Sequence, residues 1–182
     1  MAASRRMSEP DRADRRYLIA LGSNIRHTRH GSPRKVVAAA LVALEASGIR
    51  VDKVSRIHDT APMGPSRRTY ANAAAIVAAS LDPAELLAVL QSIEAEFGRL
   101  RRGRAWRERV LDLDVILWSG GTWVSPGLVV PHLSFRERSF VLGPAAQIAG
   151  DWRDPITGLT MRQLNARLNR ERAVPVGSVR RS

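Results

Sequence analysis

The chain has 182 residues, 45% of them apolar, with a formal net charge of +12 and no cysteine. This length and apolar content suit one domain with a buried core, and the lack of cysteine excludes disulfides, thiolate nucleophiles and zinc–thiolate sites. No apolar run approaches the ~18 residues of a membrane span, so we expect no membrane partner, and the absence of cysteine fits a cytoplasmic location. The charge indicates either an anionic partner or an arginine-rich background composition that has no functional cause. Much of it lies in the two ends, where we expect disordered extensions (residues 1–16 and 170–182) around one domain (residues 17–169).

The first third of the chain predicts a strand, a helix and a second strand. Residues 17–24 are an apolar run that ends in Gly-Ser-Asn, as expected of a buried strand and its turn. Ser32 and Pro33 are typical of an N-cap and a first helical turn, and Gly48 of a helix end. Residues 51–57 have strand composition without clean alternation, and residues 60–65 predict a loop because they contain two prolines and a glycine.

The alanine-rich segment 70–81 decides the fold. Propensity favours a helix there, whereas the pattern fits a buried strand equally well. Asp82, Pro83 and Glu85 then form a capping-box pattern, which predicts a helix that ends at Gly98. If residues 70–81 are a strand, the element order is that of a ferredoxin-like α+β sandwich with an antiparallel sheet. The residues expected to be buried by the helix are Leu86, Leu87, Leu90, Ile93 and Phe97.

Two carboxylates lie two residues apart in the next apolar run, Val110-Leu-Asp112-Leu-Asp114-Val-Ile-Leu-Trp118. On a strand, alternation places Asp112 and Asp114 on one face. The opposite, core-packing face is expected to carry Leu111, Leu113, Val115 and Leu117. Neighbouring carboxylates repel each other unless a cation lies between them, and magnesium takes such ligands.

The basic segment 98–106 just upstream suits a polyphosphate. Either feature alone is often ordinary solvated surface, but together they favour a site for a metal and a nucleotide. Beyond the strand, residues 129–132 predict a loop, residues 140–148 a short helix and residues 160–168 a longer one.

Several motifs occur in an order that resembles the hydroxymethyldihydropterin pyrophosphokinases of folate synthesis. They are Leu21-Gly-Ser-Asn24, Thr60-Ala-Pro-Met-Gly-Pro65 with Tyr70-Ala-Asn72-Ala, Arg109-Val-Leu-Asp-Leu-Asp114, and Pro131-His132 followed by Arg138-Ser-Phe140-Val-Leu. The resemblance covers residues 17–148. It implies a ferredoxin-like fold, a strand at residues 70–81, and transfer of pyrophosphate from ATP to 6-hydroxymethyl-7,8-dihydropterin, which yields the pterin diphosphate and AMP.

The resemblance also implies roles for individual residues. Asp112 and Asp114 resemble the pair that holds two Mg²⁺ ions on the triphosphate. The catalytic phosphate contacts are Arg99, Arg101 and Arg109. The pterin-binding positions are Thr60, Pro62, Met63, Tyr70, Asn72, Trp106 and Phe140. The ATP-binding positions are Gln91, Glu94, Arg99, Arg109, Val115, His132 and Arg138. For Tyr70 and Phe140 core packing is an equal alternative, and Gln91 and Glu94 also fit a solvated helix face.

The chain departs from the family pattern at Ala105-Trp-Arg-Glu108, where the family commonly has Arg-Trp-Gly-Pro, and in the basic turn at residues 26–31. A non-catalytic paralogue that binds a pterin or a nucleotide is therefore the leading alternative. An RNA-binding ferredoxin-like module would fit the charge, but the sequence has no RNP-type aromatic motif. We expect a monomer whose partners are ATP and the pterin alcohol, and no nucleic acid.

Overall fold

The computed structural model describes residues 15–60, 69–98 and 110–173. The strands are β1 (Arg16–Ser23), β2 (Arg50–Val54), β3 (His58–Thr60), β4 (Tyr70–Ala78), β5 (Asp112–Trp118), β6 (Trp123–Ser125) and β7 (Leu128–Val130). The helices are α1 (Pro33–Ala46), α2 (Pro83–Glu96), α3 (Ser139–Ile148) and α4 (Met161–Ala173), with a 3₁₀ helix (Phe135–Glu137) before α3. In the described ranges no helix combines the length and the apolar character that crossing a membrane requires.

The main sheet has the predicted ferredoxin-like topology. Strand β4 pairs with β1 on one side and with β2 and β3 on the other, and β1 also pairs with β5, all antiparallel. The alanine-rich segment is therefore a strand. All of β4 after Tyr70 is buried, because helices cover both faces of the sheet, and small side chains suit a central strand that is packed on both sides.

Helices α1 and α2 pack on one face of the sheet, in a core that includes Leu21, Val36 and Leu90. Both helices begin and end as predicted. In α2, the side chain of Asp82 accepts hydrogen bonds from the amides of Ala84 and Glu85, and the amide of Asp82 donates one to Oε2 of Glu85, which completes the capping box. Gly48 and Gly98 follow the two helices at φ +79° and +85°, a conformation that favours glycine.

Helices α3 and α4 cover part of the opposite face, in a second core with Leu18, Ile76 and Phe135. This cover corrects one prediction about β5. Leu113 and Val115 do face the α2 side, but Leu117 packs with Ile116 in the second core. The cause is a β-bulge, since Leu18 pairs with Leu117 whereas Ile19 pairs with Val115, so Ile116 is an extra residue that reverses the alternation.

The boundaries also differ from the predicted ones. Strand β1 begins at Arg16, Arg15 before it is buried, and α4 continues to Ala173. The hairpin of β6 and β7 was not predicted; it packs Leu128 and Val130 against the first core. The predictions for residues 1–14 and 174–182 lie outside the described residues.

Candidate active site

Three strands bring polar side chains together at one end of the face that carries α3 and α4. Gly22 on β1 pairs with Asn72 on β4 and, on its other side, with Asp112 on β5. In the next row Ala20 lies between Ala74 and Asp114. Strands lie about 4.8 Å apart, so the amide of Asn72 and the carboxylate of Asp112 are mounted roughly 10 Å apart, on either side of Gly22. We call the surface formed by Gly22 and Ala20 between them the floor of the site. The floor is flat because β1 contributes only a hydrogen and a methyl group there.

The amide edge of this floor is held in a defined orientation. Asn72 is 5% exposed, and its Nδ2 donates a 2.7 Å hydrogen bond to Oγ1 of Thr60. Its Oδ1 is turned toward Gly22, since a Cβ added to Gly22 would lie 3.2 Å from that oxygen. Tyr70 pairs with Thr60 and shares the face of Asn72 by alternation. The structure thus brings together Thr60, Tyr70 and Asn72.

The carboxylate edge fits the predicted magnesium ligands. Asp112 and Asp114 are half-buried at alternate positions of β5, and Oδ2 of Asp114 lies 4.0 Å from Nη1 of Arg138. Among the described residues, no group of three or more histidine, cysteine or acidic side chains could hold a metal. Two carboxylates are nevertheless what a magnesium–nucleotide site needs, because Mg²⁺ takes its other ligands from phosphate oxygens and water.

The segment after β7 brings His132 and Arg138 beside the aspartates. The amide of His132 donates to the carbonyl of Ile116, and Nδ1 of His132 accepts from the amide of Ser134, so the neutral ring carries its hydrogen on Nε2. Burial lowers the pKa of His132; Asp114 and Asp112 raise it and Arg138 lowers it, with the net shift downward. The Arg138 guanidinium also lies 5.9 Å from the ring centre of Phe140.

Two predicted nucleotide ligands occupy other positions. The side chain of Val115 is buried in the first core, on the face opposite the aspartates. Glu94 is 1% exposed, and its Oε1 accepts a 2.8 Å hydrogen bond from the amide of Leu113. The Glu94 carboxylate therefore binds the backbone of the aspartate strand. Neither Glu94 nor Val115 presents its side chain to a ligand on the aspartate face. Gln91, on the same helix, is half-buried, and its contact with ATP stays a prediction.

Six predicted site residues lie outside the described ranges. They are Pro62, Met63, Arg99, Arg101, Trp106 and Arg109. Residues 61–68 connect β3 to β4, and residues 99–109 connect α2 to β5. Strands that flank these two segments in the chain carry Thr60, Asn72 and Asp112, and the roles of the six residues stay predictions.

Sequence reasoning missed the packing of the basic turn after β1. Nδ1 of His27 accepts hydrogen bonds from the amides of Arg29 and His30, and the rings of His27 and His30 stack at 4.7 Å. His30 also stacks on Phe97, at the end of α2, at 4.7 Å. The sequence signal for this packing is the pair of histidines three residues apart, whereas the net charge of the turn does not reveal it. The turn after β1 therefore packs against the end of α2.

The fold and this face define a ferredoxin-like α+β protein with a pair of carboxylates on one face of its sheet. The model of the 7,8-dihydro-6-hydroxymethylpterin-pyrophosphokinase (HPPK) family matches residues 18–150, and the chain belongs to that family. The 2-amino-4-hydroxy-6-hydroxymethyldihydropteridine pyrophosphokinase of Methylorubrum extorquens is 40% identical over 156 residues, 85% of this chain and 94% of the relative. The protein of that name from Synechocystis is 37% identical over 147 residues, 81% and 73% of the two chains.

A solved structure confirms the architecture. The crystal structure of Plasmodium falciparum HPPK-DHPS aligns with a TM-score of 0.68 over 91% of this chain and 47% of that chain. The sequences are 12% identical in this alignment, so the likeness concerns the fold alone.

Proposed function

We propose that the protein transfers pyrophosphate from ATP to 6-hydroxymethyl-7,8-dihydropterin in folate biosynthesis. Family membership and relatives named for this reaction support the proposal. The observation that carries it is the row Asn72, Gly22 and Asp112. An oriented amide suits the polar edge of a flat heterocycle, and a carboxylate pair suits the metal on a polyphosphate. Both kinds of group lie on one floor, about the length of a bicyclic ring apart.

The amide edge would bind the pterin. Oδ1 of Asn72 is an acceptor that can take a hydrogen bond from the amino group or a ring N–H of the pterin. The bond from Asn72 to Thr60 holds the amide in this orientation before the substrate arrives, so little side-chain entropy is lost on binding. Tyr70 shares the face of Asn72, and we assign Phe140, Pro62, Met63 and Trp106 to the same pocket.

The carboxylate edge would bind ATP. We propose that Asp112 and Asp114 hold two magnesium ions, which when bound would neutralise charge on the phosphate oxygens. Arg138, close to Asp114, and the Nε2–H of a neutral His132 can donate to phosphate or ribose oxygens. Arg99, Arg101 and Arg109 are proposed to contact the transferred phosphates, and Gln91 the nucleotide.

In the proposed reaction the hydroxymethyl oxygen attacks the β-phosphorus in line. A new O–P bond forms, the bond between the β-phosphorus and the oxygen that bridges it to the α-phosphate breaks, AMP departs, and the hydroxyl proton is released. Phosphoryl transfer of this kind depends mainly on positioning and on electrostatic stabilisation. The contribution of the chain is therefore to hold the two substrates end to end on the floor, and we assign no general base.

The test is a coupled assay with hydroxymethyldihydropterin, ATP and magnesium that measures AMP. We expect AMP release that requires the pterin, and the same reaction without pterin is the control. A folded protein that binds both substrates and releases no AMP would instead be a non-catalytic paralogue. Analytical ultracentrifugation tests the expected monomer, and the cytoplasmic location stays a prediction.

A further inference from the structure

We infer that Asp154 is a positioning residue for the nucleotide side of the site, acting through Arg136. This inference rests on the proposed function. Asp154 lies in the connection between α3 and α4, beyond residues 18–150 that the family model matches. It is 0% exposed and lies outside the row of site residues on the sheet, so its burial calls for a separate explanation.

The carboxylate of Asp154 is held from three directions. Nε and Nη2 of Arg136 donate to its two oxygens at 2.8 and 2.7 Å, the paired geometry that specifies orientation as well as distance. Thr157 donates from its hydroxyl at 2.6 Å, and the amide of Ile156 donates at 3.1 Å. The connection itself is closed by backbone bonds between Asp154 and residues 158 and 159. Asp154 is therefore a fixed acceptor on a rigid loop.

Arg136 connects this acceptor to the site. It belongs to the 3₁₀ helix Phe135–Glu137, with His132 before it and Arg138 directly after it. The segment is attached to β5 where the amide of His132 bonds Ile116, and it enters α3 where amides of that helix bond the carbonyl of Arg138. Between these two ends, Arg136 makes the paired contact with Asp154 and Phe135 is buried in the second core.

The contact between Arg136 and Asp154 affects the position of Arg138, because the two arginines are two residues apart. The guanidinium of Arg138 is half-exposed and only 4.0 Å from Asp114, so its own contacts are long and leave it room to move. The backbone that carries Arg138 is held by the pair of Arg136 and Asp154, in which the carboxylate is fully buried and the arginine side chain is 25% exposed. A buried charge pair can stabilise a fold without positioning a ligand contact. Here the pair lies two residues from a proposed phosphate contact, where a misplacement of ~1 Å can cost ~100-fold in rate.

The test compares Asp154→Asn with Asp151→Asn. Asp151 lies in the same connection, but it pairs with Arg162 on α4 at 3.1 Å, and both side chains are exposed. Binding of α,β-methylene-ATP with magnesium is measured by calorimetry, well below the thermal midpoint of each variant. We expect the analogue to bind about tenfold more weakly to Asp154→Asn and within about twofold of wild type to Asp151→Asn. In turnover, KM for ATP should rise more than KM for the pterin.

A double-mutant cycle separates positioning from general stabilisation. If Asp154 acts through Arg138, the loss caused by Asp154→Asn should shrink to about twofold or less in an Arg138→Ala background, whereas independent effects would add. Full additivity, or wild-type affinity of a folded Asp154→Asn, would overturn the inference. If Asp154→Asn does not fold, the same measurements are made on Arg136→Lys, which keeps the positive charge and loses the bidentate contact with Asp154. A folded Arg136→Lys with wild-type affinity would overturn the inference equally.

The two proposals fail in different ways. A wild-type protein that neither binds the ATP analogue nor releases AMP would remove the proposed function. A wild-type protein that does both, with Asp154→Asn unchanged, would remove only the positioning role.

Discussion

Replacement of Gly22 by alanine tests the floor of the proposed site. The backbone of Gly22 does not have a positive φ, so alanine is allowed there without strain. Among the described residues, the new Cβ would meet one atom within 4 Å, Oδ1 of Asn72 at 3.2 Å, and that oxygen must shift by a few tenths of an ångström. The methyl group would also rise from the floor where the pterin is proposed to lie. The perturbation is thus confined to the amide edge.

The magnitude follows from the hydrogen bond at risk. A polar group of a buried ligand that loses its partner costs ~1–3 kcal/mol, which corresponds to about a 5- to 150-fold weaker Kd. We expect this loss for the pterin, measured by calorimetry, and less than about a threefold change for ATP. The fold should persist, since alanine is less costly than glycine in a strand by ~0.5–1 kcal/mol, which offsets part of the close contact.

Gly143→Ala is the matched control. Gly143 lies within α3, and within the part of the chain that the structure describes a Cβ added there would meet no atom outside its own helix within 4 Å. This variant should bind both substrates as wild type does, with a thermal midpoint equal to or above the wild-type value. A folded Gly22→Ala that binds the pterin within about twofold of wild type would refute the assignment of the floor. Equal weakening for both substrates would refute the division of the floor into two edges.

Three further predictions concern acidic residues. Asp112→Ala or Asp114→Ala should abolish AMP release with an unchanged circular dichroism spectrum, and retained activity in either would remove the metal assignment. Glu94→Ala should lower the free energy of unfolding in urea by ~1–3 kcal/mol, because the amide of Leu113 loses its acceptor. Glu94→Gln keeps an oxygen there and should lower it less, and equal losses in the two variants would contradict this contact. Burial raises the pKa of Asp154, but hydrogen bonds from Arg136, Thr157 and Ile156 outweigh it and hold the pKa at about 2. The resulting stabilisation, roughly 2 kcal/mol, should be complete above pH ~4 and disappear as the pH falls through 2, and Asp154→Asn should lack this acid dependence.

Elements whose signals are local could be predicted from the sequence. The capping box of Asp82 and Glu85 forms between residues three apart, and the glycine that follows α2 adopts its positive φ next to the helix it ends. These interactions need no knowledge of the remaining chain. The shared face of Asp112 and Asp114 likewise follows from strand alternation alone, and it holds up to the bulge at Ile116.

The alanine-rich segment shows where local reasoning stops. Alanine favours a helix by its own propensity, the apolar pattern fits a buried strand equally well, and only the family resemblance decides for a strand at residues 70–81. In the folded protein, β4 is hydrogen-bonded on both edges and covered on both faces, so tertiary burial outweighs a propensity of a few tenths of a kcal/mol per residue.

By itself, the sequence determined the helices, the aspartate pair and the ordered motifs that indicate the family. Only the tertiary structure decided that Gly22 lies between Asn72 and Asp112. It also decided that Leu117 packs in the second core and that Glu94 accepts a hydrogen bond from the backbone of β5. Asp154 and Arg136 are likewise joined across 18 positions of the chain. The physical reason is that register, bulges and buried ion pairs depend on which distant segments meet. That choice is made by the packing of the whole chain, and no short window of sequence contains it.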